Sequence, residues 1–356
     1  MKKSPFRIKN GILEEYLGRG DDVTIPQGVK IIGRCAFWGK KIVSVDIPDG
    51  VVEIDDAAFK NCKNITKITV PDSVIKIGGA AFKGCTGLAD EYGFIIVNGI
   101  LFDYCGNDSV ISIPKNVTKI SEHAFLDHSH IRRVTIPDSV SSIGYEAFRN
   151  CTLLRNIEIP KTITEMEYGA FVGCKGLADD NDFVIVGSTL FDYLKDNTTV
   201  TVPENIISIN GSAFNERKKL TSVILPEGIT SIGARAFSGC SNLTSINIPN
   251  SVISIGREAF RGCRNLANKD GMVIVKNTLY GYFGEDESIV VPDNITNIER
   301  FAFHGRLQLK KLVIPNNITA ISPFAFYNCP NIKIYAAVGS CAETYANENN
   351  ISFEAI

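Results

Sequence analysis

Apolar residues recur along the chain in one short unit. Its consensus is L-x-x-V-x-I-P-x-x-V-x-x-I-G-x-x-A-F-x-x-C, and the stretch from Leu243 to Cys263 follows it closely. The alternation V-x-I predicts a short strand with one buried face, and the proline ends that strand because it has no amide proton to donate to a sheet. The segment A-F-x-x-C has room for about one helical turn. Each unit is therefore predicted to be a short strand followed by a short return.

Two markers show how often the unit occurs. An apolar-proline step is found at Pro26, Pro48, Pro71, Pro114, Pro137, Pro160, Pro203, Pro226, Pro249, Pro292 and Pro315. An Ala-Phe pair follows each proline at a constant distance, with its aromatic residue at Phe37, Phe59, Phe82, Phe125, Phe148, Phe171, Phe214, Phe237, Phe260, Phe303 and Phe326. No single unit could bury its apolar face, so we expect the eleven copies to stack into a repeat solenoid with a continuous core.

Three of the intervals between prolines are longer because they contain insertions that resemble one another. The insertions run from Phe94 to Tyr104, Phe183 to Tyr193 and Met272 to Tyr282, and a fourth copy opens the chain at Phe6. Each has two apolar runs about a two-residue break, which is typical of a tight β-hairpin; the breaks are Asn10-Gly11, Asn98-Gly99, Gly187-Ser188 and Lys276-Asn277. We predict four hairpins in a single repeat domain over 1–356, with superunits 6–93, 94–182, 183–271 and 272–330.

The end of the chain departs from the repeat. Residues 331–356 contain a helical stretch from Cys341 to Ala346, and we expect this segment to be a C-terminal cap that covers the open end of the stack. The string I-P-x-x-V-x-x-I-G-x-x-A-F-x-G-C, the N-G-x-L-F turn from Asn98 to Phe102 and the S-x-A-E-x-Y-A ending resemble the BspA-type leucine-rich repeat. The resemblance implies an α/β leucine-rich repeat solenoid of short strands and short helical returns. It also implies a bacterial, often surface-exposed protein, since some members are associated with adhesion to host proteins.

Charge and hydropathy narrow the classes of partner. The chain has 37 Lys and Arg against 39 Asp and Glu, so it has no global basic field to attract nucleic acid. It contains no apolar run of about 18 residues, so we expect no membrane insertion. Phe6 to Lys9 follow the first five residues in place of an apolar signal core, so the sequence as written predicts a cytoplasmic protein. A chain whose export signal had been removed would instead be surface-bound or secreted.

Seven of the ten cysteines stand three residues after the repeat phenylalanine: Cys62, Cys85, Cys151, Cys174, Cys240, Cys263 and Cys329. Stacking would bring neighbouring copies together, so disulfides or metal sites are conceivable. The chain has no C-x-x-C pair, however, and we predict a buried ladder of free thiols that pack as small apolar groups. Cys35, Cys105 and Cys341 lie outside this ladder and are candidates for exposed thiols.

The remaining motifs are weak evidence for a metal site, for integrin recognition or for catalysis. His123, His128 and His130 cluster beside Asp127, but their spacing matches no established metal site, and Arg19-Gly20-Asp21 matches an integrin-recognition tripeptide in a probable turn. No phosphate loop, G-x-S-x-G or H-E-x-x-H occurs. We therefore predict no catalytic residue, no metal site and no cofactor.

The variable positions of the predicted strands are the candidates for binding. Residues that flank the buried positions point outward and form ladders in a stacked sheet. We expect a protein partner to dock on the more apolar C-terminal part of these ladders, around Ile224 to Val313, with the third and fourth hairpins as side walls. The candidate residues are Thr201, Ile224, Asn247, Val290, Lys311 and Val313. The predicted function is a non-enzymatic protein-binding scaffold. The alternative is a surface adhesin or glycan binder. Tyr16, Tyr104, Tyr193 and Tyr282 are candidates for stacking on sugars, although the sequence favours packing of each hairpin tyrosine onto the solenoid.

Overall fold

The computed structural model describes residues 4–356, which divide into two compact units between Asp179 and Asp180. Each unit is a β-solenoid of short-strand coils. The division lies close to residue 183, where we predict the third superunit to begin.

The described part of the first unit, residues 4–179, contains sixteen strands: β1 (Phe6–Lys9), β2 (Ile12–Tyr16), β3 (Asp22–Thr24), β4 (Ile31–Ile32), β5 (Ser44–Asp46), β6 (Glu53–Ile54), β7 (Lys67–Thr69), β8 (Lys76–Ile77), β9 (Phe94–Val97), β10 (Ile100–Tyr104), β11 (Val110–Ser112), β12 (Lys119–Ile120), β13 (Arg133–Thr135), β14 (Ser142–Ile143), β15 (Asn156–Glu158) and β16 (Glu165–Met166). Single-turn 3-10 helices cover Thr86–Leu88 and Lys175–Leu177.

The second unit continues with β17 (Phe183–Val186), β18 (Thr189–Tyr193), β19 (Thr199–Thr201), β20 (Ser208–Ile209), β21 (Ser222–Ile224), β22 (Ser231–Ile232), β23 (Ser245–Ile246), β24 (Ser254–Ile255), β25 (Met272–Val275), β26 (Thr278–Tyr282), β27 (Ser288–Val290), β28 (Asn297–Ile298), β29 (Lys311–Val313), β30 (Ala320–Ile321), β31 (Lys333–Ala336) and β32 (Ser352–Ala355). It also contains a 3-10 helix over Arg264–Leu266 and the helix α1 (Cys341–Glu348).

Each coil contributes two strands. The first, which we call the front strand, ends two residues before the repeat proline and is the strand that the V-x-I alternation predicts. Front strands pair in parallel in the sheets β3-β5-β7, β11-β13-β15, β19-β21-β23 and β27-β29-β31-β32. The second, or back strand, has two residues just before the repeat glycine and pairs with the back strands of neighbouring coils. The sequence predicts only the front strands, because two residues are too few to show an alternation.

The return from the back strand to the next coil consists of hydrogen-bonded turns and is not a helical turn. In the first coil, the Ala36 amide donates to the Gly33 carbonyl (3.1 Å) and the Trp38 amide donates to the Cys35 carbonyl (3.0 Å). Residues with positive φ stand on both sides of each Ala-Phe pair, as at Cys35 (58°) and Gly39 (67°). These left-handed residues reverse the chain within a few residues and leave no room for a continuous helix.

The four predicted hairpins are present as the antiparallel pairs β1-β2, β9-β10, β17-β18 and β25-β26. Both residues of the Asn10-Gly11 and Asn98-Gly99 turns have positive φ, which is the conformation that favours Asn-Gly in a two-residue loop. The second strand of each hairpin pairs in parallel with a back strand, for example β10 with β12 and β18 with β20. The hairpins therefore extend the back sheets.

The repeat phenylalanines form stacked columns inside each superunit. Phe148 lies between Phe125 and Phe171, with ring centroids 4.8 and 5.2 Å away and the rings nearly parallel. The tyrosine that ends each hairpin begins the next column, as Tyr104 does at 5.6 Å from Phe125. All these phenylalanines are buried, so the aromatic columns are the centre of the core.

The predicted cysteine ladder is confirmed. All seven ladder cysteines are buried free thiols, while Cys105 is exposed and Cys35 and Cys341 are half-buried. Each ladder thiol donates a hydrogen bond of 2.9 to 3.2 Å to the carbonyl of the phenylalanine one coil earlier. Burial raises the pKa of Cys62 to about 11 and that of Cys240 to about 12, against weaker opposing hydrogen bonds from the backbone.

We expect the native chain to react with a thiol reagent at no more than three cysteines. Cys105 should react first, and Cys35 and Cys341 more slowly, because the ladder thiols are both inaccessible and protonated. Titration with a chromogenic disulfide at pH 8, before and after unfolding in guanidinium, measures this directly, and all ten should react after unfolding. A Cys105→Ser variant should lose the fastest phase. Rapid reaction of five or more thiols in the native state would contradict a buried ladder.

The end of the second unit is covered by the predicted helix, which extends two residues further than expected. The Ser340 hydroxyl accepts the amide of Glu343 (3.2 Å) and so caps the first turn of α1. Tyr345 lies 5.5 Å from Phe326, and Ala342 and Ala346 are buried beside it. β32 then pairs with β31, so the last strands prolong a front sheet beyond the final repeat proline.

Candidate binding surface

The outward positions of the front strands are where the sequence predicts them. In strands such as β19 and β27 the middle residue is buried and the residues on either side are exposed. Ile224 is 49% exposed and Val290 is 63% exposed, and they are among several large apolar side chains that the fold leaves at the surface. These residues are therefore available for contact with another molecule.

Five of the six candidate residues fall into two groups instead of one continuous surface, and Asn247 belongs to neither group. Thr201 and Ile224 are neighbours on β19 and β21. Val290 and Val313 are neighbours on β27 and β29, with Lys311 two residues before Val313. The two groups belong to separate front sheets, because the fourth hairpin interrupts the succession of front strands between β23 and β27.

Asn247 has a structural role. Its side-chain oxygen accepts the Leu225 amide (2.6 Å), and its side-chain nitrogen donates to the Leu225 carbonyl (2.9 Å). In other coils the backbone carbonyl of the neighbouring front strand accepts this amide, as the Thr135 carbonyl does for Ile113. The Asn247 amide thus replaces a backbone partner in the sheet and is already satisfied.

The second group is larger than the sequence suggests, because β31 adds a tyrosine to it. Tyr335 is the neighbour of Val313 in register. The ammonium groups of Lys311 and Lys333 lie 4.7 and 5.5 Å from its ring centroid. We call Val290, Val313, Tyr335, Lys311 and Lys333 the Tyr335 patch. Tyr335 follows the last repeat proline, so only the alternation in Lys333-Ile334-Tyr335-Ala336 could have identified it.

The hairpins pair with back strands and so belong to the back sheets. A groove of about 450 Å³ nevertheless lies beside the third hairpin, where Phe183, Tyr193 and Lys195 face residues of β19. An equivalent groove of about 370 Å³ lies beside the second hairpin, between Phe94 and Val110. Each groove lies where a hairpin meets the first front strand that follows it.

The hairpin tyrosines pack inward and offer no platform for a sugar. Tyr16, Tyr104, Tyr193 and Tyr282 are at most 4% exposed, and each packs against the first phenylalanine of the next column. Their hydroxyl groups bind the loops that follow: the Tyr104 hydroxyl accepts the Asp108 amide (3.1 Å), and the Tyr282 hydroxyl donates to Asp286 (2.8 Å). The sugar-stacking hypothesis for these residues is therefore wrong.

Two residues of the histidine cluster, His123 and His128, have polar partners within the protein. The His123 Nε2 atom lies 3.3 Å from a carboxylate oxygen of Glu146, and the two ring nitrogens of His128 face the carbonyls of Leu126 and Tyr104. Among residues 4–356, no three His, Cys, Asp or Glu side chains are arranged to hold a metal ion.

The Arg19-Gly20-Asp21 loop is exposed, and the Gly20 amide donates to the Tyr16 hydroxyl (3.2 Å). A Cβ atom on Gly18 would lie 2.4 Å from the Tyr16 ring, and Gly106 and Gly284 approach the tyrosines of their hairpins as closely. The glycines in these loops thus allow the tyrosine ring to pack closely against the backbone.

In the part of the chain that the structure describes, no helix is long and apolar enough to cross a membrane.

The family model for the BspA type leucine-rich repeat region matches residues 16–92, 95–181, 184–271 and 273–347. No protein with a curated description matches the chain. A leucine-rich cell surface protein from Faecalibacterium prausnitzii A2-165 is 27% identical; the match covers 99% of this chain and 97% of that one, with a TM-score of 0.41.

Two further solved structures are less similar. A leucine-rich repeat protein from Eubacterium ventriosum ATCC 27560 is 23% identical, with 87% of this chain and 82% of that one covered and a TM-score of 0.38. The pneumococcal vaccine antigen PcpA is 21% identical, with 94% and 78% covered and a TM-score of 0.28.

Proposed function

Because the chain belongs to the BspA-type leucine-rich repeat family, we propose that it is a non-enzymatic scaffold that binds a protein partner through the front strands of its second unit. The observation that carries this proposal is the Tyr335 patch. Val290, Val313 and Tyr335 stand side by side in register on three parallel strands, where Val290 is exposed and Val313 and Tyr335 are half-buried. Nothing in the fold requires apolar side chains at these outward positions.

The chemistry of the patch indicates the kind of partner. Ser288, Lys311 and Lys333 form a second ladder beside the apolar one, two residues earlier on the same strands. An apolar strip with lysines along one side matches a protein surface that has an apolar centre and carboxylates at its rim. Lys333 already pairs with Glu354 (2.6 Å). We therefore propose that Lys311 is the lysine that pairs with a carboxylate of the partner.

The alternative of a surface adhesin uses the same patch and differs only in where the partner is found. A host extracellular protein as partner would favour the adhesin, and a protein from the same cell would favour an internal scaffold. A glycan binder is the less supported alternative, because the four hairpin tyrosines are buried. We assign no catalytic, cofactor or metal-binding residue to either function.

The test uses the full chain immobilised as bait, with partners identified separately from bacterial lysate and from host extracellular proteins. For any partner found, we expect Val290→Lys combined with Val313→Lys to weaken binding at least tenfold, since about 1.4 kcal/mol corresponds to one factor of ten. Val110→Lys is the matched control, because Val110 is 61% exposed on a front strand of the first unit. Ile224→Lys tests the first group separately.

Equal affinity of the wild-type chain and the Val290→Lys, Val313→Lys variant for the same purified partner would contradict docking at the Tyr335 patch. Unchanged melting temperatures of both variants must accompany the measurement, so that lost binding cannot come from lost folding. A loss that is as large in Val110→Lys would mean that front strands in general bind the partner, against our assignment to the second unit.

A further inference from the structure

The second strand of two hairpins carries an aspartate that the fourth hairpin lacks. Asp103 on β10 accepts hydrogen bonds from the Lys83 ammonium (3.1 Å) and the Gly84 amide (2.9 Å). Asp192 stands at the equivalent position of β18 and pairs with the Arg217 guanidinium (3.3 Å). At the same position of β26 stands Gly281. The protein thus supplies an internal carboxylate at two hairpins and none at the fourth.

The cations that would face this carboxylate are retained at the fourth hairpin. Arg261 is the residue equivalent to Lys83 two superunits later in the chain. Arg306 is the residue equivalent to Arg217 one superunit later. Gly281 does not have a left-handed backbone, so a side chain there is not excluded by φ. Its place is bordered by the ring of Phe283, since a Cβ atom on Gly281 would lie 2.9 Å from that ring.

A cavity of about 220 Å³ opens at this point, and its lining contains no carboxylate. The side chains that give it its chemistry are Arg261, Arg264, Phe283, Phe301, His304 and Arg306. Arg261 is held over the Phe301 ring, 4.6 Å from its centroid, and Arg264 lies 6.0 Å from the centroid of Phe283. Stacking on aromatic rings keeps a guanidinium in place before a ligand arrives, which reduces the entropy lost on binding.

The charges of this cavity are only partly balanced by the protein. Arg261 pairs with Glu258 (3.1 Å), a carboxylate that also pairs with Arg235. The Nε atom of Arg306 donates weakly to the His304 carbonyl (3.4 Å). Among the described residues, neither Arg264 nor Arg306 has a carboxylate within 4.0 Å, so two guanidinium groups at the cavity lack an ion-pair partner.

We propose that this cavity binds a carboxylate side chain of an acidic peptide, which takes the place that Asp103 and Asp192 occupy at the other hairpins. The equivalent sites already accommodate a protein carboxylate, and guanidinium groups bind a carboxylate through two parallel hydrogen bonds. The phenylalanine rings provide an apolar wall for the methylene groups of a glutamate. This site is formed by the fourth hairpin and the turns beside it, and it is independent of the Tyr335 patch.

The test measures binding of a fluorescein-labelled, end-capped peptide with two glutamates to the full chain at low ionic strength, by fluorescence anisotropy. We expect the same peptide with glutamines to bind at least tenfold more weakly. Arg264→Ala combined with Arg306→Ala should weaken the glutamate peptide at least tenfold, because both side chains reach the cavity and neither supports the core. Gly281→Asp should weaken it as well, since it restores the internal carboxylate.

Arg217→Ala is the matched control, because Arg217 has the same place in the third superunit but pairs with Asp192; binding should not change. Unfolding curves of each variant verify that it folds, and the double arginine variant alone is sufficient if Gly281→Asp does not. Equal binding of the two peptides, or full binding by the double arginine variant, would overturn the proposal. Inorganic phosphate or glucuronate that binds more tightly than the glutamate peptide would overturn the assignment to an acidic peptide.

Discussion

Replacement of Phe148 by alanine is expected to lower the free energy of unfolding by about 3–5 kcal/mol, the usual cost of truncating a buried phenylalanine. The Phe148 ring is fully buried and lies between two parallel rings, so its removal leaves a cavity with stacked neighbours on both sides. The coils above and below cannot close this gap, because their separation is set by the hydrogen bonds of two parallel sheets. Denaturant unfolding followed by far-ultraviolet circular dichroism measures the change.

Trp38→Ala is the control for this experiment. Trp38 is larger than phenylalanine but is 54% exposed, and the Lys60 ammonium lies 6.0 Å from its ring centroid. We expect its truncation to cost less than about 1 kcal/mol. A repeat protein is stabilised mainly by contacts between neighbouring coils, so a defect in one column acts locally and can separate one unfolding transition into two. A loss of less than about 1 kcal/mol in Phe148→Ala would contradict the stacked column as the centre of the core.

The column could be predicted from sequence because two markers keep a constant distance. The proline ends the front strand and the phenylalanine enters the core, and both effects depend on one residue type at one position. The hairpins were equally visible, since Asn10-Gly11 and Asn98-Gly99 favour positive φ at both turn positions. In each of these cases, one or two residues with a strong conformational or packing preference are enough to predict the local structure.

The returns could not be predicted in the same way. The left-handed position two residues before the repeat phenylalanine is occupied by side chains as different as Cys35, Ala57, Glu146 and Phe301. None of these favours positive φ, so the conformation is imposed by the stacking of coils and not by local preference. The back strands could not be predicted either. Each has only two residues, and their hydrogen bonds come from neighbouring coils, so the local sequence shows no pattern that identifies them.

The candidate surface was predicted at the level of strand faces but not of individual residues. Ile224 and Val290 are exposed as expected, because period-two alternation decides the face. The hydrogen bonds of the Asn247 side chain depend on the backbone of the neighbouring coil. Tyr335 adds to the patch because it lies on β31, a strand that no repeat proline follows. The cavity beside Gly281 could not be predicted, because it is formed by side chains from three segments that are separate in the sequence.

Glu258→Gln is expected to lower the free energy of unfolding by about 2 kcal/mol at neutral pH, the order of one hydrogen bond to a charged group. The Glu258 side chain is 1% exposed, and its carboxylate accepts hydrogen bonds from Arg235 (2.9 Å) and Arg261 (3.1 Å). Both arginines are about half exposed and can turn to solvent, which keeps the cost below that of an isolated buried charge. Glutamine preserves the shape and the left-handed backbone at this position, so the comparison isolates the charge.

The pH dependence distinguishes an ionic role from packing. Burial would raise the pKa of the Glu258 carboxyl, but the hydrogen bonds and charges of Arg235 and Arg261 outweigh it and hold that pKa below its ordinary value of 4.5. A carboxyl with a lower pKa in the folded chain stabilises the fold fully above its unfolded pKa and loses this effect as the pH falls through its folded pKa. The difference between wild type and Glu258→Gln should therefore be constant from neutral pH to about pH 5 and shrink below it.

The matched control for this comparison is Glu287→Gln. Glu287 is 65% exposed and pairs with Lys310 at 2.8 Å, so the loss of its charge should change the free energy of unfolding by less than about 0.5 kcal/mol at any pH. Denaturant unfolding of the three proteins at closely spaced pH values gives both differences. If the difference for Glu258→Gln persisted undiminished down to pH 3, the stabilisation would not come from the negative charge of the carboxylate. The arginines around Glu258 would then not depend on its charge for their positions.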